Sequence, residues 1–197
     1  ALRGAAPYGV PAGAPNVGAD ATREPAGTSH LVVVDAKGDA VSMTTTVESL
    51  FGSGRMAGGF FLNNQLTDFS LVPTASDGTA AANAVAAGKR PRSSMSPALI
   101  LDREGRLIGL LGSPGGSSIL AYNAKALIGA LAWGLPLQQA FDLPNLVAKG
   151  DGFGADTEGF PEAVRDGMAA RGVELRPNTT ETSGPVSYTH LTLPTIC

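Results

Sequence analysis

The residues of this 197-residue chain that are best suited to catalysis carry hydroxyl groups and lie near glycines. Thr28 opens a β-type run directly after the turn-forming Pro-Ala-Gly at 25–27, and three more threonines occupy 44–46. A threonine hydroxyl is a weak nucleophile until a base lies beside it, and the α-amine of the same residue can be that base. This arrangement requires a cut before Thr28, which Gly27 would hinder little. The alternative is an ordinary β-branched residue at the start of a strand.

A glycine pair supplies a second candidate site. The segment "GSPGGSS" at 112–118 precedes a helical pattern and places Gly115 beside Gly116. Two such glycines can point successive backbone N–H groups into one concavity, which would bind an anion or stabilise an oxyanion. The alternative is a plain strand-to-helix turn, and the phosphate-binding pattern that ends in Gly-Lys-Ser/Thr has no match here.

Two polar segments could bind opposite charges. Ser93 and Ser94 follow a basic stretch, and their hydroxyls could hold a carboxylate. Gln65 and Asp68 lie three residues apart behind a strand and could hold an ammonium group. A solvated basic loop and an Asx-type turn are the respective alternatives. Glu48 is either a surface carboxylate or a part of the same pocket.

Composition excludes several functional classes. With 43% hydrophobic and 16% charged residues the chain is typical of a globular domain, and its charge of −3 lacks the basic footprint of a nucleic-acid partner. The longest apolar run, 126–137, is too short to span a bilayer and contains Pro136. Because Cys197 is the single cysteine and His30 and His190 are the only histidines, we expect no disulfide, metal site or cofactor.

Predicted β-hairpins precede predicted helices along the chain. The β-rich runs at 30–35 and 40–47 predict one hairpin, and those at 96–102 and 107–112 predict another. Further predictions are a short strand at 60–64, a helix from 119 that ends near Gly134 and Pro136, a short helix at 136–142, a helix between Pro161 and Gly172, and a strand at 173–177. This order favours a layered α+β domain over alternating βαβ units.

Both ends of the chain look unlike a complete protein. The sequence begins without methionine, as a fragment does. The segment "PVSYTHLTLPTIC" at 185–197 resembles a translated sequencing-adapter artefact, and we exclude it from the fold prediction. In that case Cys197 and His190 are not biological, and the natural C-terminal strands are missing.

Five motifs follow one another along the chain, namely "TSHLVVVDAKGDAVSMTTT", "FGSG", "LNNQLTDFS", "KRPRSSMSP" and "GSPGGS". Taken in this order, they resemble the small subunit of the γ-glutamyltransferases, within a match from about Thr28 to about Gly150. The resemblance implies an N-terminal-nucleophile hydrolase fold, an αββα sandwich. It also implies that residues 1–27 end a large subunit and that 28–184 form the small-subunit catalytic portion. Each motif is weak alone, whereas the ordered set is specific.

The resemblance implies catalytic roles for four residues. Thr28 would cut the chain at the Gly27–Thr28 bond and then act as the catalytic nucleophile. Thr46 matches a hydroxyl that bonds to the nucleophile. Gly115 and Gly116 match the glycines of the oxyanion hole.

The resemblance also implies a donor pocket. Ser93 and Ser94 match residues that hold the donor's α-carboxylate, and Gln65 and Asp68 match those that hold its α-amine. Glu48 stands where the family usually has an asparagine that contacts the same amine. Since divergent members include glutaryl-type acylases and capsule transpeptidases, the donor is either a glutathione-like γ-glutamyl amide or a non-glutamyl acyl group.

The expected partners are a large subunit from the same precursor, the small-molecule donor, and an amino acid, peptide or water as acceptor. The large subunit would carry an arginine that completes the carboxylate pocket, so we expect this chain alone to be inactive. Relatives imply a periplasmic or secreted location. An alternative of another class is a catalytically dead homologue that serves as a binding or structural subunit; in that case the full-length precursor would stay uncut.

Overall fold

Residues 27–149, 152–177 and 186–189 are described by this computed structural model. The strands among them are β1 Thr28–Val34, β2 Ala40–Thr46, β3 Met56–Ala57, β4 Phe60–Phe61, β5 Ala98–Leu101, β6 Leu107–Gly112, β7 Leu146–Lys149, β8 Gly152–Ala155, β9 Leu175–Pro177 and β10 Val186–Thr189. The α-helices are α1 Ile119–Leu127, α2 Leu137–Asp142 and α3 Glu162–Ala169. Hairpins come first and helices later, as the sequence predicts for an α+β domain.

The first hairpin pairs β1 with β2 in antiparallel register. Thr28 lies opposite Thr46, and His30 lies opposite Thr44. Half-buried and exposed residues alternate along both strands, as expected when one face of a strand is covered. Both threonines of the first pair are on the covered face. The register therefore places two predicted site residues side by side at one end of the hairpin.

The second hairpin, β5–β6, forms the centre of a separate sheet. β10 pairs antiparallel with the other edge of β6, which gives the order β10–β6–β5. Leu110 and Leu111 are consecutive in β6 and both almost fully buried, so both faces of this strand are covered. The first hairpin and α1 are the elements that pack against β6. β10 lies within the tail that was excluded from the prediction, and the origin of that tail stays a prediction.

Helix α1 covers the core behind the second sheet. Ile119 and Tyr122 are almost fully buried in it. The predicted helix is confirmed, but its last part, Ile128–Ala132, continues as a π-helix. Gly134 follows with φ of 66°, a conformation that suits glycine and ends the helix near its predicted boundary.

Lys125 joins α1 to the end of α2. Its Nζ donates to the carbonyl oxygens of Phe141 at 2.7 Å and Leu143 at 2.6 Å. Burial lowers the pKa of this amine, while Asp156 and Asp142 act in the opposite direction. A lysine at the end of a helix satisfies carbonyls that lack intrahelical partners. The contact fixes α2 against α1.

The later part of the chain departs most from the predictions. A strand predicted at 60–64 is limited to Phe60–Phe61, because the chain turns away after them. The sheet β7–β8–β9 was not predicted except for β9, since β8 reads Gly-Phe-Gly-Ala and lacks β-branched residues. The two short helices α2 and α3 lie where they were predicted.

His30 connects the first hairpin to β6. Its Nδ1 lies 2.8 Å from the Thr44 hydroxyl, and its Nε2 lies 3.3 Å from the Ser42 hydroxyl. Ser42 donates its one proton to the carbonyl oxygen of Leu111 at 3.1 Å, so Nε2 is the nitrogen that donates to Ser42. With Nε2 as a donor, Nδ1 accepts from the Thr44 hydroxyl when the imidazole is neutral. Burial lowers the pKa of His30 and so favours the same neutral state.

We expect His30 to make the stability of the full-length protein depend on pH. Because its pKa is lowered in the folded state, its contribution is complete above about 6.5 and falls as the unfolded chain takes up the proton below that pH. The advantage of the wild type over His30→Gln in unfolding free energy should therefore shrink between pH 7.5 and 5.5. Urea unfolding at several pH values measures it.

The matched control is Thr45→Ala, an exposed position on the same hairpin with no titrating group. Its effect on stability should be constant over the same range. If the difference in unfolding free energy between the wild type and His30→Gln does not change with pH, His30 does not have a lowered pKa in the folded protein.

Candidate active site

Nearly all the site residues predicted from the sequence line one pocket. It has an empty volume of about 320 Å³ and lies at the end of the first hairpin. Its lining residues are Thr28, Thr46, Glu48, Gln65, Asp68, Arg92, Ser93, Ser94, Met95, Gly116 and Ile119. Segments separated by more than 80 positions in the sequence thus meet at one place. Of the predicted site residues, Gly27 and Gly115 lie next to lining residues rather than among them.

Thr46 is hydrogen-bonded to the peptide group that precedes Thr28. Its hydroxyl donates to the carbonyl oxygen of Gly27 at 3.1 Å and accepts the backbone N–H of Glu48 at 2.8 Å. A hydroxyl has one proton to donate. In the intact chain that proton is directed to the carbonyl beside Thr28, so the expected bond from Thr46 to the Thr28 hydroxyl stays a prediction for the cut chain.

Gly27 is closely packed against the backbone that follows β2. A Cβ at this position would lie 2.2 Å from the carbonyl oxygen of Glu48, a distance that backbone atoms cannot accommodate without moving. Glu48 itself has φ of 78°, the one positive value at a non-glycine residue in the described chain. Such a conformation is costly for glutamate, and strain of this kind concentrates at functional sites.

Asp68 is a buried acceptor directed into the pocket. It ends a 3₁₀ turn, Gln65–Asp68, and only 5% of it is exposed. The Gln65 amide donates to one carboxylate oxygen, Oδ2. The other oxygen, Oδ1, is buried without a hydrogen-bond partner among the described residues. A buried acceptor in that state costs free energy unless a ligand satisfies it, and an ammonium group would do so.

Asn64 holds this turn against the end of β2. Its Oδ1 accepts the backbone N–H of Ser49 at 3.0 Å, and its Nδ2 donates to the hydroxyls of Ser49 at 3.0 Å and Thr67 at 2.9 Å. The sequence analysis did not single out Asn64. Through it, the backbone beside Glu48 and the turn that carries Asp68 are fixed to each other.

The segment that follows the serine pair is held by α1. The buried Asn123 donates to the carbonyl and hydroxyl oxygens of Ser96, both at 2.9 Å. The Ser93 hydroxyl accepts the N–H of Met95 at 3.2 Å, which leaves its own proton able to donate to a ligand. Asn123 was likewise missed, because nothing in its neighbours distinguishes it from a helix-surface asparagine.

The glycine pair turns the chain from β6 into α1. Gly115 has φ of 135° and Gly116 has φ of 50°, conformations that favour glycine. A Cβ on Gly115 would lie 2.5 Å from the ring of Tyr122. Position 115 therefore needs glycine both for its lack of a side chain and for its positive φ. Gly116 faces the pocket. The arrangement suits backbone N–H groups that stabilise negative charge.

Charge is divided within the pocket. Two of its lining residues are carboxylates, Glu48 and Asp68, and they are only 7% and 5% exposed. Arg92 is the one cationic side chain among the lining residues that the structure describes. A ligand with separate positive and negative groups would match this division better than one with a single charge.

Comparison with known proteins gives one family model and several relatives. The family model described as Gamma-glutamyltranspeptidase matches residues 7–192. A "Glutathione hydrolase proenzyme" of Bacillus subtilis is 36% identical over 139 residues, which are 70% of this chain and 22% of that protein. An "Acylase ACY 1 proenzyme" of a Pseudomonas species is 34% identical over 151 residues, or 76% of this chain and 26% of that protein.

A solved structure is similar over almost its whole chain. The gamma-glutamyltranspeptidase of Helicobacter pylori matches with a TM-score of 0.72 and 29% identity, covering 84% of this chain and 92% of that one. This likeness confirms the predicted fold class, an α+β N-terminal-nucleophile hydrolase. The chain spans about a fifth of the length of the curated relatives, with 22% in the Bacillus protein. A match over residues 7–192 establishes that the chain belongs to the gamma-glutamyltranspeptidase family.

Proposed function

We propose that this chain is the small-subunit portion of an enzyme that transfers or hydrolyses γ-glutamyl groups through an ester on Thr28. The enzyme would first cut itself between Gly27 and Thr28. The observation that carries the proposal is the bond from the Thr46 hydroxyl to the Gly27 carbonyl oxygen, made at the edge of a pocket that contains Thr28. In the proposal residues 1–27 end the large subunit, 28–184 form the small one, and 185–197 are an artefact.

Self-cleavage follows from the chemistry of this contact. The hydrogen bond from Thr46 draws electron density from the Gly27 carbonyl and stabilises the oxyanion that forms when the Thr28 hydroxyl attacks. The carbon–oxygen bond forms as the carbon–nitrogen bond breaks, and the hydroxyl proton goes to the nitrogen. Water then hydrolyses the ester, which leaves a carboxylate on Gly27 and a free α-amine on Thr28.

The new α-amine is the base for the second reaction. It would take the proton from the Thr28 hydroxyl as that oxygen attacks the γ-amide carbonyl of the donor. The backbone N–H groups of Gly115 and Gly116 would stabilise the oxyanion. The amine leaving group departs with the proton, and water or an acceptor amine then releases the γ-glutamyl group.

The buried carboxylates favour a γ-glutamyl donor over a glutaryl one. A γ-glutamyl group carries an ammonium beside its carboxylate, and Asp68 has a buried oxygen suited to accept from it. A glutaryl group lacks the ammonium, so it has no group to pair with the two carboxyl side chains of the pocket. The second candidate, an acylase, is supported by the 34% identity to the Pseudomonas acylase.

The rest of the precursor is the proposed partner. Large apolar side chains on the outer face of the first hairpin are exposed in this chain, namely Leu31, Val33, Val41 and Met43. Exposed apolar patches mark interfaces, and the remaining four-fifths of a full-length relative supplies an occupant for this one. A large subunit would also complete the pocket, so this chain alone should be inactive.

The described part of the chain has no helix long and apolar enough to cross a membrane. A periplasmic or secreted location, and an amino acid, peptide or water as acceptor, belong to the same proposal.

Mass spectrometry of the full-length protein tests the cut directly. We expect a new N-terminus at Thr28 in the wild type and in Ser29→Ala, an exposed neighbour that serves as control. Thr28→Ala removes the attacking hydroxyl and should leave the chain uncut. Cleavage of Thr28→Ala at the same bond would remove Thr28 as the processing residue, and a folded wild type that stays uncut would favour the catalytically dead homologue.

Thr46→Val tests the contact to Gly27. It keeps the β-branched shape and removes the hydroxyl, so self-cleavage should slow on the order of 100-fold, as expected for loss of an oxyanion donor. The time course of precursor loss on denaturing gels measures the rate. Thr45→Val, on the exposed face of the same strand, should cut at the wild-type rate. Equal rates for Thr46→Val and the wild type would exclude this role.

The donor preference can be read from two anilides that differ only in the amino group. Glu48→Asn removes one carboxylate, so the ratio of kcat/KM for γ-glutamyl over glutaryl p-nitroanilide should fall about tenfold or more. Glu48→Gln also removes the charge but keeps an unfavourable residue at positive φ, so it separates charge from backbone strain. A ratio that rises in both variants would favour the acylase.

A further inference from the structure

The three cationic side chains at 89–92 have different environments in the folded chain. Lys89 donates from Nζ to the carbonyl oxygens of Ala82 at 2.8 Å and Ala84 at 2.9 Å, so it closes a turn. Arg90 is exposed and is not among the lining residues of the pocket. Arg92 is half-buried and lines the pocket beside Ser93 and Ser94. The structure thus separates one pocket cation from two neighbours that the sequence could not distinguish from it.

A single buried side chain positions both Arg92 and Asp68. Asn83 is 5% exposed, and its Oδ1 accepts the backbone N–H of Arg92 at 3.2 Å. The Asn83 Nδ2 donates to the backbone carbonyl oxygen of Asp68, and the backbone carbonyl oxygen of Asn83 accepts the N–H of Ser70 at 2.9 Å. The segments that carry the acidic and the basic lining residues are therefore held at a fixed separation.

A donor with an α-ammonium and an α-carboxylate needs a negative and a positive group held apart. Asp68 and Glu48 supply the negative side. Neutral hydroxyls at Ser93 and Ser94 orient a carboxylate but do not neutralise it, whereas a guanidinium does both. We propose that Arg92 binds the donor's α-carboxylate together with the two serines and thereby determines specificity. This inference rests on the proposed function and assigns to the small-subunit portion a cation that the sequence analysis expected only from the large subunit.

Removal of one group from the donor tests the contact. γ-Glutamyl p-nitroanilide carries the α-carboxylate, and 4-aminobutanoyl p-nitroanilide is the same molecule without it. In the full-length enzyme, Arg92→Met should lower kcat/KM about ten- to a hundredfold for the first donor. It should change kcat/KM less than about threefold for the second, because the lost partner is absent there.

Two further variants control the comparison. Arg90→Met removes a neighbouring exposed cation and should leave both donors unaffected. Arg92→Lys keeps the charge without the planar fork, so its loss should be smaller and again confined to the carboxylate donor. The extent of self-cleavage reports whether Arg92→Met folds. If it does not fold, the comparison of the two donors is made with Arg92→Lys instead.

Equal loss on both donors, in Arg92→Met or in Arg92→Lys, would show that Arg92 only supports the loop and would overturn the inference. Failure of the proposed function gives another pattern, since wild-type enzyme would then turn over neither donor or Thr28→Ala would remain active. Selective loss on the carboxylate donor supports the inference.

Discussion

The pairing of Thr28 with Thr46 is the constraint on which the rest of the site depends. Side chains alternate between the two faces of a strand, so a shift of one residue between β1 and β2 would move one threonine to the other face. The observed register brings the Thr46 hydroxyl to the Gly27 carbonyl. His30, two residues along β1, then bonds to Thr44 and Ser42, and Ser42 reaches β6. The strand that leads into the glycine pair is thus tied to the strand that begins with Thr28.

Three asparagines assemble the remainder of the pocket. Asn64 holds the end of β2 to the turn of Asp68, Asn83 holds that turn to Arg92, and Asn123 holds the serine segment to α1. An amide side chain can donate and accept at once, so one residue can join two backbone segments without adding a charge. The segments that carry Asp68 and Arg92 are therefore positioned by a neutral side chain.

Sequence reasoning located most of the pocket because its signals are local. A hairpin is visible in two β-rich runs around a turn, and paired glycines before a helix are visible as such. The three asparagines were missed because an asparagine looks the same in a sequence whether it forms a turn, lies on a helix surface or joins distant segments. The left-handed backbone of Glu48 was not foreseen either, since that conformation is rare for glutamate. Arg92 could not be separated from Lys89 and Arg90, because their difference arises only from which of them the fold turns inward.

A Cβ at Gly27 would lie 2.2 Å from the carbonyl oxygen of Glu48, so evolution at position 27 is constrained by the backbone at position 48. Any larger residue at position 27 would displace the backbone of Glu48, the residue that in the proposed function helps to select the donor. If the proposed function holds, cleavage of the precursor and selection of the donor are therefore not independently adjustable. A lineage that enlarges position 27 must also reshape position 48, so the two positions should show epistasis and change together.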